Sequence, residues 1–352
     1  MGACETFSSW AEKVREIYMV ELTSQQEERA MRLHKEAIVI DTHCDTLMSY
    51  LPQRGRPTRK LSERSDQGHI DLPRMIEGGL TCQTFACYTG NKAIVPDATL
   101  RAIQMIDVFY ESIEADDGIV VVKSPEEIVA AKKAGKSAGL LSIEGAEPLM
   151  GDIGLLRVFY RLGVRMLSFA WNYRTPFADG LNAKRADGKL PELGVKALEE
   201  MERLGMLFDV SHLCDSNFWD VCDVKKGAFI ASHSNCRALA DISRNLTDDM
   251  IKALADHGGV MGLNFGASFV HTENATVETL VDHVDRVVKL IGPDHVGLGT
   301  DFDGIGATPV GLEDVSKIPN FTRELVKRGY SDEDTLKFLG GNHLRVFKEV
   351  MG

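Results

Sequence analysis

The stretch 37-AIVIDTH-43 is a continuous apolar run that ends in a histidine, and seven similar runs follow it along the chain. Continuous rather than alternating apolar residues predict parallel strands that are covered on both faces. The eight predicted strands are 37–43, 80–88, 138–145, 164–171, 206–212, 228–234, 259–265 and 295–301. These runs decide the fold class, which is α/β.

Helical patterns separate the apolar runs. Apolar residues recur at helical spacing in stretches such as 97–114, 193–205 and 276–292. Eight strands that alternate with helices predict a closed (β/α)8 TIM barrel rather than an open sheet. We therefore predict a single domain over residues 1–352, with an N-terminal helical extension over 1–37 and the barrel over 38–352.

Residues that bind metals or move protons stand at the carboxyl ends of the predicted strands. They are His43, Asp45, Glu144, His212, His233 and Asp301. The carboxyl ends of parallel barrel strands all lie on one face, so we expect these side chains to converge there. Imidazoles and carboxylates together suit Zn²⁺ and its first-row neighbours. The set is large enough for two ions, with Glu144 as the natural bridge between them.

Each of these residues also has an ordinary structural interpretation. A single histidine after a strand is more often a hydrogen-bonded core or turn residue. Asp301 could cap a helix, and Asp303 with Gly304 is a common turn pair. It is the convergence of six such residues at one rim that favours a metal site.

A second His-x-Asp sequence, at His69 and Asp71, lies in a polar loop. Asp71 followed by Pro73 predicts a helix N-cap, so we assign this pair a structural role. His295 begins the last predicted strand, which places it at the opposite end of the barrel. We predict that the remaining histidines are solvated; they are His34, His257, His271, His283 and His343.

The composition excludes several functional classes. Hydrophobic residues make up 44% and charged residues 26%, as in a globular protein with a sizeable core. The formal net charge is −12 and no Lys/Arg cluster is present, which argues against nucleic acid or an anionic membrane as the main partner. No apolar run approaches the ~18 residues that span a bilayer. We expect a cytoplasmic protein without a nucleic-acid or membrane partner.

The N-terminus and the cysteines agree with that expectation. Charged residues stand where a secretory signal would need an apolar core. The seven cysteines are scattered and form no C-x-x-C pair, which favours a reduced intracellular setting. Gly2 and Thr6 match the myristoylation pattern, and Cys4 could accept a second acyl chain. Because the pattern is short, we interpret the match as coincidence.

Around the six metal-ligand candidates at the strand ends, the chain resembles the membrane (renal) dipeptidase family, peptidase family M19 of the amidohydrolase superfamily. Any one matching segment is weak, but the ordered set is specific and runs from near residue 38 to the end. The segments are 41-DTHCDT-46, 143-IEGAEPL-149, 163-GVRMLSFAWN-172, 209-DVSH-212, 232-SHSNCRAL-239, 243-SRNLTDD-249, 295-HVGLGTDFDG-304 and 341-GNHLRVF-347.

The resemblance implies a binuclear zinc site. In that site one ion is held by His43 and Asp45, the other by His212 and His233, with Glu144 as the bridge. Asp301 would be the proton shuttle beside a bridging water. Arg244 would hold the C-terminal carboxylate of the substrate, which suits a bidentate guanidinium, although alone it could also be a surface arginine.

The chain departs from the animal members of the family at two positions. Those enzymes carry a histidine in the loop after the fourth strand, where this chain has Trp171 followed by Asn172, a pair similar to that of many bacterial relatives. We predict that both residues contact the substrate and that Asn172 takes over part of the histidine's role. Near Phe269 the animal members have a tyrosine, so that hydroxyl contact is absent. The resemblance implies a soluble relative, and a homodimer is its common assembly.

The activity implied is hydrolysis of dipeptides with free amine and carboxylate ends, including L-Xaa-D-Xaa peptides. In the expected mechanism a metal-bridging hydroxide attacks the peptide carbonyl, and Asp301 passes its proton to the leaving amine. Zinc is the expected metal, although these ligands would also accept manganese or cobalt. The alternatives are another barrel amidohydrolase, such as an N-acyl-amino-acid deacetylase or a lactonase, and a non-catalytic binding protein.

Overall fold

The computed structural model describes residues 22–51, 59–90, 97–183 and 188–352. The match to the myristoylation pattern at Gly2, Cys4 and Thr6 lies outside the described residues, as does the first part of the predicted N-terminal extension.

Within the described ranges, nine parallel strands form one sheet. They are β1 (Val39–Cys44), β2 (Leu80–Tyr88), β3 (Ile119–Val121), β4 (Ser137–Glu144), β5 (Val164–Ser168), β6 (Leu207–Asp209), β7 (Ile230–Ala231), β8 (Val260–Leu263) and β9 (Val296–Leu298). Eight of them close into a ring, because β2 pairs with both β1 and β4 while β9 pairs with both β8 and β1. The predicted (β/α)8 barrel is confirmed.

Helices surround the ring. They are α1 (Ser24–Glu36), α2 (Leu47–Tyr50), α3 (Leu72–Glu77), α4 (Ala98–Glu114), α5 (Pro125–Lys133), α6 (Ile153–Arg161), α7 (Glu192–Leu204), α8 (Asp215–Val224), α9 (Asp248–Asp256), α10 (Ala267–Val270), α11 (Val277–Ile291), α12 (Ile318–Lys327), α13 (Asp332–Leu336) and α14 (Asn342–Met351), with a π-helical turn at Lys337–Gly341. The predicted helical stretches correspond to α4, α7 and α11. Among the described residues, no helix combines the length and the apolar character needed to cross a membrane.

One strand was missed in the sequence. β3 has three residues and pairs only with the first part of β4, from Ser137 to Gly139, so it lies outside the barrel ring. Three residues are too few to give a recognisable apolar run. The other strands were found, but β5, β6, β7, β8 and β9 end two or three residues earlier than predicted.

The start of helix α1 is stabilised by a capping box. The hydroxyl of Thr23 accepts a hydrogen bond from the Gln26 backbone N–H, and the Gln26 side chain accepts one from the Thr23 N–H. This capping box satisfies donors that a helix start leaves free. The buried face of α1, which includes Ala30 and Leu33, packs against α12 on the outside of the barrel.

An apolar cluster closes the amino end of the barrel. Leu207, Ile230 and Val260 are the first residues of β6, β7 and β8, and all are 0% exposed. They belong to one cluster with Val346 and Phe347 of α14. Since that end is filled with apolar side chains, the polar chemistry is confined to the carboxyl ends of the strands.

The prediction that His34, His283 and His343 are solvated is wrong, since all three are buried. The Nε2–H of His283 donates to the Val270 carbonyl at 2.9 Å, and its Nδ1 accepts from the Cys236 N–H at 3.0 Å. Backbone partners thus replace water around the ring. A helical pattern carries no sign of such partners, because they come from distant segments.

The structural role assigned to the second His-x-Asp sequence is confirmed. The Asp71 carboxylate accepts a hydrogen bond from the Arg74 N–H at the start of α3, with Pro73 in the first turn. The Nδ1 of His69 accepts from the Asp303 N–H at 2.9 Å and so holds the turn after β9.

Candidate metal centre

The six ligand-type side chains predicted from the sequence meet at the carboxyl-end rim of the barrel. They form three overlapping groups whose donor atoms lie within 4.8 Å of one another in each group. The groups are His43, Asp45 and Glu144; Glu144, His212 and His233; and His43, His233 and Asp301. Two of the three groups share Glu144.

The Glu144 carboxylate lies at the centre of this arrangement. Its Oε1 is 2.9 Å from the Nε2 of His212 and 3.3 Å from the Nε2 of His233. The Nε2 of His43 is 3.8 Å from the same oxygen. Glu144 is the last residue of β4, so strand geometry directs its side chain to the rim.

His212 and Asp301 lie three residues beyond the ends of their strands. Both have left-handed backbones, with φ of 71° and 60° respectively. Few non-glycine residues adopt this conformation, and those that do cluster at functional sites. The two side chains reach the cluster from the turns that follow β6 and β9.

The site is buried and contains polar atoms that the protein leaves unpaired. His43 is 1% exposed and Asp45 is 5% exposed. Within the described residues, His43 Nε2 and Asp45 Oδ1 have no hydrogen-bond partner. A buried polar atom without a partner is destabilising. A metal ion coordinated by both atoms would remove that cost, so the donor set fits a cation.

The electrostatics of the site also fit a cation. Burial raises the pKa of Glu144 well above its ordinary value, and the nearby Asp45 carboxylate raises it further. Burial raises the pKa of Asp301 to about 6. Crowded buried carboxylates of this kind are stabilised by a divalent ion.

The site shifts the pKa values of its three histidines in different directions. Burial lowers the pKa of His212 and of His233 well below the usual value, which favours the neutral imidazole that binds metals. Burial also lowers the pKa of His43, but the surrounding carboxylates, Glu144 foremost, outweigh it and raise the pKa to about 10. Carboxylate oxygens of Asp45, Glu144 and Asp301 lie 3.6, 3.8 and 3.9 Å from the Nε2 of His43.

Polar side chains outside the cluster orient its members. The Nδ1 of His212 is 3.1 Å from Asn172 Oδ1. Asn264 donates from Nδ2 to Asp301 Oδ2 at 2.8 Å. Asn264 was missed in the sequence, although it directly follows β8 at the same rim. A search for side-chain amides at strand ends, in addition to ionisable groups, would have found Asn264.

A cavity of about 800 Å³ opens above the cluster. Its wall includes Tyr88, Trp171, Asn172 and Phe269, and its floor includes Glu144. The Trp171 ring centroid is 5.2 Å from that of Tyr88, while Asn172 both lines the cavity and contacts His212. This volume is in the range of small-molecule sites.

Arg244 lies in the wall of the cavity and is 8% exposed, so it is not a surface arginine. Its Nη1 donates to the Ser234 hydroxyl at 3.0 Å. Its Nε and Nη2 have no partner in the part of the chain that the structure describes. Burial lowers the pKa of Arg244, and the Asp301 and Glu144 carboxylates oppose that effect.

Known proteins resemble this chain over nearly its whole length. The sequence model of the membrane dipeptidase family, peptidase family M19, matches residues 27–351. An uncharacterized dipeptidase of Schizosaccharomyces pombe is 33% identical over 360 residues, covering 94% of this chain and 85% of the relative.

Solved structures give the same result for the fold. The probable dipeptidase PvdM from Pseudomonas aeruginosa superposes with a TM-score of 0.84 at 26% identity, covering 94% of this chain and 99% of that chain. A metallo peptidase from Rhodobacter sphaeroides, solved with a phosphinate mimic of the dipeptide L-Ala-D-Ala, has a TM-score of 0.80 at 27% identity, covering 89% and 99%. The similarity therefore extends through both sequence and architecture.

Proposed function

Because the chain belongs to the membrane dipeptidase family, peptidase family M19, and is a metallopeptidase that hydrolyses peptide bonds, we propose that it is a binuclear zinc dipeptidase. Its proposed substrates are dipeptides with free amine and carboxylate ends, including L-Xaa-D-Xaa peptides. The observation that carries the proposal is the convergence of two donor groups on Glu144 beneath a cavity with a buried arginine.

Two donor groups that share one carboxylate support a pair of ions. His43 and Asp45 would hold one ion, His212 and His233 the other, and Glu144 would bridge them. When bound, the ions would polarise the peptide carbonyl and lower the pKa of a water molecule. The mixture of imidazole and carboxylate donors suits zinc.

Asp301 is the proposed proton carrier. Its Oδ2 accepts a hydrogen bond from Asn264, which leaves Oδ1 on the side of His43, 3.9 Å from Nε2. Oδ1 would take the proton of the attacking water and deliver it to the leaving amine nitrogen. A carboxyl group that serves as base and then as acid works best when its pKa is near the operating pH, which burial favours here.

Arg244 is the proposed anchor for the C-terminal carboxylate of the substrate. Ser234 fixes one nitrogen of the guanidinium, and the two unpartnered nitrogens can donate a pair of parallel hydrogen bonds to a carboxylate. With the peptide carbonyl at the metal site and the carboxylate at Arg244, a peptide with further C-terminal residues would not fit. Trp171 would form part of the wall beside the substrate.

The test compares four substrates with metal-loaded and chelator-treated protein. L-Ala-L-Ala, L-Ala-D-Ala, N-acetyl-L-alanine and the amide of L-Ala-L-Ala are supplied, and the released amine is measured. We expect metal-dependent cleavage of the two free dipeptides and two metal ions per chain by elemental analysis. Preferred cleavage of N-acetyl-L-alanine would contradict the proposal and indicate a deacetylase. The homodimer and the cytoplasmic location stay predictions.

A further inference from the structure

A buried chain of hydrogen bonds runs from Asp209 to the candidate metal centre. Asp209 Oδ2 is 2.6 Å from the Ser232 hydroxyl, which is 2.6 Å from the Nδ1 of His233. The exposed fractions of Asp209, Ser232 and His233 are 3%, 0% and 0%. The opposite nitrogen of the ring, Nε2, is the atom that lies 3.3 Å from Glu144.

The direction of these hydrogen bonds follows from the donors around Asp209. Its Oδ1 accepts from the backbone N–H groups of Ser211 at 2.9 Å and Ser232 at 2.8 Å. Oδ2 therefore faces the Ser232 hydroxyl. A carboxylate can only accept, so the single hydroxyl proton of Ser232 points to Asp209. The hydroxyl then offers a lone pair to the imidazole.

A lone pair at Ser232 requires a proton on the Nδ1 of His233. A neutral imidazole carries one N–H, so Nε2 keeps its lone pair and presents it to the cluster. We infer that Asp209 is a positioning residue that acts through Ser232 to fix the tautomer of His233 in which Nε2 can bind a metal ion. The inference rests on the metal-binding role of His233 in the proposed function.

His212 is oriented by a different device. Its Nδ1 contacts the side-chain amide of Asn172 directly, with no hydroxyl between them. Of these two histidines, in the part of the chain that the structure describes, only His233 is oriented through a hydroxyl, that of Ser232. A change at Asp209 can reverse the direction in which that hydroxyl donates its hydrogen bond. That difference makes the inference testable, because metal affinity responds to the groups that orient a ligating histidine.

Asp209→Asn reverses the chain of hydrogen bonds while preserving its shape. The amide oxygen keeps the two backbone N–H groups, so the amide N–H faces the Ser232 hydroxyl. That hydroxyl then donates to the Nδ1 of His233 at 2.6 Å rather than to the more distant Ser211 hydroxyl at 3.4 Å, which moves the ring proton to Nε2 and blocks the metal-binding atom. We expect zinc affinity to fall by about 10- to 100-fold, measured by competition with a chelator. Nitrogen-15 spectra of metal-free protein should show the His233 proton moving from Nδ1 to Nε2.

A second variant separates this role from packing. Ser232→Ala frees both tautomers, so alone it should lower zinc affinity less than Asp209→Asn does. In the Asp209→Asn protein, Ser232→Ala removes the hydroxyl that donates to the Nδ1 of His233. The zinc affinity of the double variant should therefore be higher than that of Asp209→Asn alone. Two packing defects would instead add. If the double variant binds zinc no more tightly than Asp209→Asn, the inference is overturned.

Asp41→Asn is the matched control. Asp41 is a buried carboxylate that accepts from the backbone N–H groups of His43 and Thr300 and from the Thr300 hydroxyl. That hydroxyl contacts no imidazole nitrogen among the described residues, so no tautomer depends on it. A loss of affinity equal to that of Asp209→Asn would attribute the effect to the missing charge and overturn the inference.

Zinc binding by the unsubstituted protein separates failure of the proposed function from failure of this inference. If the unsubstituted protein binds no zinc at the rim, the proposed function fails. If the parent binds two ions and Asp209→Asn binds them equally well with an unchanged ring tautomer, the inference alone fails.

Discussion

Gly304 lies so close to Asp45 that a Cβ atom at position 304 would be 2.1 Å from Asp45 Oδ2. The same atom would be 2.5 Å from Asp301 Oδ1. Both carboxylates belong to the candidate metal centre, and neither could keep its place beside a side chain at 304. Gly304 has no positive φ, so its backbone would accept alanine and only the carboxylates exclude one. The absence of a side chain at Gly304, in the turn after β9, therefore leaves the space that the Asp45 and Asp301 carboxylates occupy.

Gly304→Ala should reduce metal affinity by at least about 10-fold, because the new methyl group displaces Asp45 and Asp301 from their positions. Chelator competition measures the affinity, and thermal unfolding of the metal-free protein checks the fold. Gly306→Ala is the matched control, since a Cβ at that position would meet no atom within 4 Å. Parental affinity in Gly304→Ala would show that the two carboxylates do not hold metal where the structure places them.

Asp301→Asn should lower kcat by about 10²- to 10⁴-fold, the usual contribution of a general acid–base group. The amide can still accept a hydrogen bond from Asn264 but cannot carry a proton. Metal content should stay close to two ions per chain by elemental analysis. In contrast, His233→Ala should lose both metal and turnover. Near-normal turnover of zinc-loaded Asp301→Asn would refute the proton-carrier role.

Much of this site could be predicted from the sequence because strand ends meet at one rim. His43, Glu144 and His233 are far apart in the chain, yet each follows a recognisable apolar run. A parallel barrel places all such ends together without any knowledge of individual contacts. The family resemblance, which the comparisons confirm, added Arg244, which is buried in the structure.

The rest depends on contacts that no local pattern contains. The closeness of Gly304 to Asp45 arises only when the turn after β9 meets the end of β1. The predicted strand continues to His212, whereas β6 ends at Asp209 and His212 lies in the following turn with a left-handed backbone. The role inferred for Asp209 likewise needs the strands β6 and β7 to be neighbours before its carboxylate can reach Ser232.

Arg244→Ala should lower kcat/KM for free dipeptides by about 10- to 100-fold, since hydrogen bonds to charged groups contribute about 1.5–3 kcal/mol. Dipeptide amides lack the carboxylate, so their kcat/KM should change little. Arg244→Lys keeps the charge but not the planar fork and should recover only part of the loss. The ratio of kcat/KM between free and amidated L-Ala-L-Ala is the measurement. An unchanged ratio in Arg244→Ala would remove the carboxylate-anchoring role.

His343 should make the fold sensitive to acid independently of the metal centre. Its Nε2–H donates to the Leu298 carbonyl at 3.0 Å, and burial lowers its pKa to about 4. The unfolded chain, with a pKa of about 6.5, then binds the extra proton first, so the free energy of unfolding falls as the pH drops from 6.5 towards 4. The difference corresponds to about 3 kcal/mol at the acid end.

His343→Gln keeps a donor for Leu298 without titrating, so its unfolding free energy should decline less over this range. Urea unfolding at pH 7 and pH 4.5, with chelator in both samples, measures the difference. Equal declines in parent and variant would show that His343 is not the group responsible.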